Sequence, residues 1–343
     1  MPEKILIITD NLRTQVNGVV TTFRSIEPLA VLDGYEILYL SPVQFPYMNC
    51  PGYPEVKLAL PVDIGQRIQE LNPKYIHIAT EGPLGLAARC WLDRKGYKYN
   101  TSYHTKFPEF LKQIYHIPEW LTYKYIRWFH KHSGKVLTTT ETMVRELEEH
   151  NFKANIIAWT RGVDREYLKP AIKKLHNTFY ASVSTQSHTI PTVLYAGRIS
   201  REKNLEKLCV LQDMYNIQLV GDGPHREYLQ NKYPRVQFLG YLAGEQLANA
   251  YAQADVFAFP SETDTFGIVI IEAMSCGTPV AAYPVPGPLD IIEQGVNGYM
   301  SLDLQTAIEH CLILPRDQVE QSSKRWTWEN CWKIFKENLI LAS

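Results

Sequence analysis

The sequence predicts an α/β protein made of two Rossmann-like domains in tandem, and three observations carry that expectation. Short apolar runs of strand character alternate with amphipathic helical stretches from end to end, the pattern of parallel sheets covered by helices. The alternation occurs in two series, separated by a segment without sustained periodicity. With 343 residues, 45% of them hydrophobic, the chain is long enough to furnish two cores of ordinary size.

In the first series, strands are expected at residues 4–9, 36–40, 75–79, 99–102 and 135–138, with helices such as 85–95 and 141–150 between them. The second series places strands at 192–195, 217–220, 236–239, 255–259 and 279–282, and a helix over 267–276. Between the series, residues 169–190 lack a period and end polar, as a linker does. The chain thus divides into a first domain at 1–168, a linker at 169–190 and a second domain at 191–325. The final segment, 326–343, carries Trp326, Trp328, Trp332 and Phe335, a helical face too apolar to stand alone.

Composition excludes some functions. The 35 Lys and Arg against 36 Asp and Glu leave a net charge of -1, which gives no support for nucleic-acid binding. No apolar run approaches the roughly 20 residues that span a bilayer, and the N-terminus runs straight into a strand pattern rather than a signal peptide. A soluble, intracellular protein is expected. The six cysteines, Cys50, Cys90, Cys209, Cys276, Cys311 and Cys331, have no metal-type spacing and read as reduced core thiols.

The residues with chemistry cluster where strands should end. In 259–274 a strand leads through a loop into a helix, with Asp264 in the loop and Glu272 on the helix. Thr265, Phe266, Gly267 and Ile268 then sit where the unsatisfied N–H groups of a helix start face outward, a site suited to phosphate. Asp264 and Glu272 are left to accept hydrogen bonds from hydroxyl groups. Arg198 and Lys203 follow the first strand of the second series as two fixed cations, and Arg201 between them reads as solvent-facing. Gly221, Asp222 and Gly223 form the turn after the next strand, and Tyr241 follows the one after that. In the first series, Asn17 and Gly18 close a loop at an expected helix start. That loop holds neither the three-glycine dinucleotide pattern nor a Walker lysine. His104 lies just past a strand end, next to Tyr103; His77 and Glu81 sit at the end of the preceding strand. His77 reads equally as a buried core residue. The run 115–132 interleaves aromatic with basic residues. It could meet an anionic membrane surface, but we read Leu121, Tyr125, Trp128 and Phe129 as a core stripe.

The segment from Phe259 through Tyr283 resembles the nucleotide-sugar site of the retaining glycosyltransferases of family 4, the group 1 type, whose pattern is Glu, seven residues, Glu. The first carboxylate here is Asp264, one methylene shorter, so the sugar preference of a Glu-type relative does not transfer. Ser102-Tyr-His-Thr105, Thr263-Asp-Thr-Phe-Gly267 and residues 283–292 resemble the α-mannosyltransferase and sulfoquinovosyltransferase-like branch.

The resemblance spans nearly the whole chain. It implies the GT-B fold, two Rossmann-like domains facing each other across a cleft, with the last helix returning to the first domain. It further implies transfer of a hexose, mannose or glucose before galactose, from a nucleoside diphosphate sugar to a lipid or saccharide hydroxyl with retention of configuration. Arg198 and Lys203 would stabilise the departing diphosphate in place of a divalent metal, and no cofactor is expected. His104 would stand beside the reactive carbon, and Gly221, Asp222, Gly223 and Tyr241 beside the nucleotide. Asn17, His77, Glu81 and Tyr103 would face the acceptor. The competing expectations are an epimerase or hydrolase of the same fold, and a non-catalytic carbohydrate-binding protein.

Overall fold

The computed structural model describes residues 2–15, 17–50, 53–171 and 190–343, so nearly all of the expected linker at 169–190 lies outside the described residues. The chain forms two compact units, Met1–Gly162 with Trp328–Ser343, and Val163–Thr327.

The first unit contains β1 (Glu3–Ile8), β2 (Tyr35–Leu40), β3 (Tyr47–Cys50), β4 (Tyr53–Ala59), β5 (Tyr75–Ile78), β6 (Asn100–Tyr103), β7 (Val136–Thr138) and β8 (Ile156–Ala158). Six of them make a sheet in the order β2-β1-β5-β6-β7-β8, every pair parallel. Ile5, Leu6, Ile7 and Ile8 of β1 are all fully buried, because a central parallel strand is covered on both faces and therefore reads as an unbroken apolar run. β3 and β4 pair antiparallel as a separate hairpin.

The second unit contains β9 (Thr192–Ala196), β10 (Asn216–Val220), β11 (Gln237–Gly240), β12 (Val256–Phe259), β13 (Val280–Ala282) and β14 (Gly298–Met300). Their order is β11-β10-β9-β12-β13-β14, again parallel throughout. This is the doubly wound order 3-2-1-4-5-6, in which ligands bind beyond the carboxyl ends of the strands. All ten strands expected from the sequence are present, and β3, β4, β8 and β14 are additional to them.

Two boundaries move. Val163 and Leu168, assigned by sequence to the first domain, are buried in the core of the second unit, so residues 163–168 belong there. At the other end, Trp326 packs edge-on against Phe266 of the second unit, with centroids 5.4 Å apart. The terminal helix proper, Trp328–Glu337, buries Trp328, Cys331, Trp332 and Phe335, a spacing that puts all four on one face. Trp332 Nε1 donates to Asp33 at 2.7 Å and Lys336 Nζ to the same carboxylate at 2.6 Å, which anchors the helix in the first unit.

The run 115–132 also departs from expectation. Pro118 precedes a helix at Glu119–His130 whose buried residues are Thr122, Tyr123, Ile126, Phe129 and His130. Of the stripe read in the sequence, Phe129 is buried and Tyr125 half-buried against the core, whereas Leu121 and Trp128 are exposed, together with Trp120 and Lys124. No helix among the described residues is long and apolar enough to cross a membrane. Cys90, Cys209, Cys276, Cys311 and Cys331 are free thiols, all but Cys90 buried.

Candidate functional site

The second sheet ends in ions. Beyond β9 the chain passes through Gly197 and Arg198 into a 3₁₀ turn, Arg201–Lys203. The Ser200 hydroxyl bonds the buried Glu202 carboxylate and braces the turn that presents Lys203. Because β9 and β12 are neighbours, their ends bring this turn to the loop after β12. Lys203 Nζ donates to both oxygens of Asp264, each at 2.7 Å. Burial pushes the Asp264 carboxyl up, but the Lys203 ammonium outweighs it and holds the group below the usual carboxylate range. Arg198 is half-buried and Arg201 exposed. The Tyr195 hydroxyl, donating to the Arg198 carbonyl at 3.0 Å, fixes the backbone from which the Arg198 side chain projects.

Downstream of Asp264, Gly267 caps the helix Ile268–Ser275 with φ +83°. A Cβ there would come within 2.9 Å of the Phe259 ring, so the tight entry requires glycine. A glycine cap has no side chain to satisfy the first N–H groups of the helix, which lack intrahelical acceptors. The side chains of Thr265 and Phe266 are buried, leaving backbone as what these two residues can offer a ligand. Glu272 lies on this helix and accepts from the Tyr251 hydroxyl at 3.0 Å. Burial raises its pKa, with the Tyr251 hydrogen bond opposing. Tyr251, fully buried on the helix Gly244–Gln253, was not singled out by sequence because it reads as an ordinary core position.

The loops after β9 and β10 touch. A Cβ on Gly221, whose φ is +120°, would fall 2.0 Å from the Gly197 carbonyl oxygen. Ile199 N donates to the Asp222 carbonyl at 2.9 Å, and His225 N donates to the Ile199 carbonyl at 3.0 Å. Gly221 and Gly223 thus first serve to dock these loops, and the exposed Asp222 carboxylate pairs with Arg226 at 3.4 Å. Tyr241 stands 65% exposed just past β11, an open ring rather than the wall of a closed pocket.

The first sheet ends differently. Gly18 opens the helix Gly18–Leu32, as expected, and Asn17 caps it by accepting from Val20 N at 3.0 Å. The loop between β1 and this helix is fastened by half-buried Asp10, which accepts from Leu84 N at 2.8 Å and the Thr80 hydroxyl at 2.7 Å. Burial raises the Asp10 pKa against these bonds. A cavity of about 300 Å³ opens beside the loop, lined by Thr9, Asn11, Arg13, Val20, Phe23 and Arg24 among others.

Of the residues expected to face the acceptor, Tyr103 and Glu81 turn inward instead, and His77 takes the buried one of its two readings. His77 is fully buried, bonded to Ser102 Oγ and ringed by Phe23, Trp159 and Phe335. Burial lowers its pKa to about 3, so it is a neutral core residue and faces no acceptor. Tyr103 is likewise fully buried, packed with Tyr123, Ile126 and Met143, because β6 is covered on both faces. Glu81 turns inward as well: its carboxylate lies 3.3 Å from His130 Nε2.

His104 is half-buried at the end of β6. Its Nδ1 accepts from Arg161 Nη2 at 2.9 Å, and burial together with the Arg161 charge holds its pKa well below the usual histidine value. Arg161 had no sequence signal. Among the described residues no cluster of three or more His, Cys, Asp or Glu side chains converges to hold a metal ion.

Comparison with known proteins accounts for both halves. Residues 19–167 match the family described as Glycosyltransferase Family 4, and residues 190–314 match Glycosyl transferases group 1. A GDP-mannose-dependent alpha-mannosyltransferase of Corynebacterium glutamicum is 29% identical over 326 residues, covering 87% of this chain and 76% of the relative. The sulfoquinovosyl transferase SQD2 of Arabidopsis thaliana is 32% identical over 267 residues, 73% of this chain and 51% of the relative. Among solved structures, sucrose-phosphate synthase from Thermosynechococcus elongatus superposes with a TM-score of 0.76 at 18% identity, covering 98% of both chains. Anabaena Alr3699/HepE in complex with UDP gives 0.70 at 18% identity, covering 97% of this chain and 98% of that one.

Proposed function

We propose that this chain, a GT-B glycosyltransferase of the family 4 and group 1 type, transfers a hexose from a nucleoside diphosphate sugar to a lipid or saccharide hydroxyl and retains the anomeric configuration. The observation that carries the reading is the Lys203–Asp264 pair, on the loops that follow adjacent strands, with Arg198 earlier on the same loop as Lys203. Its polarity suits a sugar diphosphate: cations toward the phosphates, a carboxylate toward sugar hydroxyls. Glu272, one helical stretch away, accepts from ribose hydroxyls, and the N-terminus of the helix Ile268–Ser275 meets the diphosphate. Mannose or glucose is favoured as the sugar, since relatives are named for GDP-mannose-dependent alpha-mannosyl transfer and for alpha-monoglucosyldiacylglycerol synthesis.

In the reaction, the bond from the anomeric carbon to the diphosphate oxygen breaks through an oxocarbenium-like state. The acceptor oxygen bonds to the same face of that carbon, and its proton passes to the departing phosphate. Arg198 and Lys203 stabilise the charge that develops on the leaving group, and no divalent metal is needed. If the acceptor is a lipid, the exposed face with Trp120, Leu121, Lys124 and Trp128 is the surface we assign to the membrane, since aromatic and basic residues together suit an anionic interface.

The test is a panel of nucleotide sugars titrated against the protein in EDTA, followed by thermal unfolding and by product NMR with candidate acceptors. One donor is expected to raise the unfolding temperature, since ligand at 100 times its Kd adds about 2.7 kcal/mol. Its product should carry the donor's anomeric configuration. Inversion would overturn the mechanism, and donor binding with neither transfer nor hydrolysis would favour a non-catalytic binding protein. Co-sedimentation with anionic vesicles, lost in Trp120→Ala, checks the membrane surface; equal sedimentation of both proteins removes it.

A further inference from the structure

Arg161 is 3% exposed on the stretch just after β8. Among the described residues no carboxylate pairs with it. Its Nη1 donates to the carbonyl oxygens of Trp159 and Thr160, the latter at 2.9 Å, and its Nη2 donates to His104 Nδ1 at 2.9 Å. The guanidinium lies over the Trp159 ring, 4.6 Å from the centroid. Trp159 is itself immobilised: fully buried, it donates from Nε1 to the Cys331 carbonyl at 2.9 Å. A chain of fixed contacts therefore runs from the terminal helix through Trp159 and Arg161 to the imidazole of His104.

Burying a cation without a carboxylate is costly, and its chemistry has a consequence for its neighbour. Burial lowers the Arg161 pKa to about 10, so it remains charged at neutral pH. Guanidinium groups carry donors and no acceptor. A neutral imidazole has one protonated and one acceptor nitrogen, and the hydrogen bond made by one decides the state of the other.

We propose that Arg161 is a positioning residue that locks His104 as the neutral tautomer protonated on Nε2, so that the ring is a hydrogen-bond donor at Nε2 and not a base. A part in turnover rests on the transferase reading above, while the tautomer does not. Burial, Arg161, His77 and His130 all oppose a second proton on the ring, and Cys331, which lies against Arg161, adds no charge because burial raises its thiol pKa to about 12. The transfer mechanism is consistent with this assignment, since the acceptor's proton leaves with the phosphate and His104 has no proton to collect.

The experiment is ¹⁵N NMR of the protein labelled at histidine, with Arg161→Lys and Arg161→Met alongside. In the unsubstituted protein, His104 Nδ1 should resonate as an unprotonated nitrogen and Nε2 as a protonated one, unchanged between pH 8 and pH 6. Arg161→Lys, which keeps a donor, should preserve this state. Arg161→Met should mix the tautomers and lower kcat about tenfold or more, with the donor KM changed less than about twofold. A protonated Nδ1 in the unsubstituted protein overturns the proposal even if neither variant folds. So does a folded Arg161→Met protein that keeps the tautomer. Loss of the tautomer without loss of kcat removes the part in turnover. If no sugar nucleotide is turned over at all, the transferase reading fails while the ring's state is still measured.

Discussion

Strands β9 and β12 of the second domain lead into ions, Arg198, Lys203 and Asp264, while β5 and β6 of the first carry imidazoles kept neutral, His77 and His104. The scaffolds are otherwise close relatives. In chain order the hairpin of β3 and β4 occupies the place that β11 holds in the second sheet, and the remaining strands follow the same parallel logic. The difference lies in what each end is asked to meet. Ions at a strand end persist when they are paired or partly solvated, as Lys203 and Asp264 are. Titratable groups drawn under an apolar core surrender their charge, which leaves a polar but neutral end. A diphosphate calls for the first arrangement, and hydroxyl groups are well served by the second.

The largest effect that would break this contrast is in turnover. Arg198→Ala and Lys203→Ala should each lower kcat by roughly 10² to 10³, the scale for removing a donor aimed at developing charge, with smaller changes in donor affinity. Steady-state kinetics with the preferred donor decides it. If both variants turn over normally, the charges of the second domain do not serve the leaving group and the contrast is merely one of surface.

Acid should act on the first domain. Its His77 has a folded pKa of about 3 against about 6.5 unfolded, so below pH 6.5 the unfolded chain takes up a proton that the fold refuses. The stability is therefore complete above pH 6.5 and falls by about 1.4 kcal/mol per pH unit as pH drops towards 3. His104 acts in the same direction. The raised carboxyls of Asp10 and Glu272 have the opposite sign, because the fold binds their protons first, and they act at the carboxylate end of the range. Hydrogen exchange from pH 7 to pH 5, corrected for its intrinsic pH dependence, should show β1, β5 and β6 losing protection before β9 and β12. His77→Gln, which cannot titrate, should remove a large part of that loss. An unchanged profile would mean that His77 is not held neutral.

How much of this was legible depends on how each residue advertises itself. β1 and β12 announced themselves because buried parallel strands are unbroken apolar runs, whereas β8 and β14 are short, half-buried strands at the sheet edges and carry no such run. Asp264, Arg198 and Lys203 were legible because each follows a strand-like apolar run within a few residues, and in a parallel sheet the end of such a run is where ligands bind; Glu272 was legible from its spacing to Asp264, on the helix that follows the loop. Tyr103 was misplaced, and His77 was left between two readings, because a strand covered on both faces buries its polar residues too: Asn100, Thr101, Ser102 and Tyr103 are all buried, and no alternation marks where the core stops. Arg161 and Tyr251 were invisible for the opposite reason. Each acts through one hydrogen bond to a residue far along the chain, and sequence spacing carries no trace of it.

The smallest expected effect sharpens the comparison at the point where the two styles meet. Glu272 belongs to the charged domain yet is drawn under cover like the histidines, and burial raises its pKa while the Tyr251 hydroxyl pulls it back. Tyr251→Phe removes that bond, worth about 1.5–3 kcal/mol for a hydrogen bond to a charged group. Glu272 should then protonate at a higher pH still. If it grips ribose hydroxyls equally in the ground and transition states, the loss appears in affinity and not in kcat. Donor Kd at pH 7 should rise about five- to tenfold with kcat nearly constant, and the acid limb of donor binding should move to higher pH. A fall in kcat with Kd unchanged would place Glu272 at the reacting sugar instead, among the residues that meet developing charge.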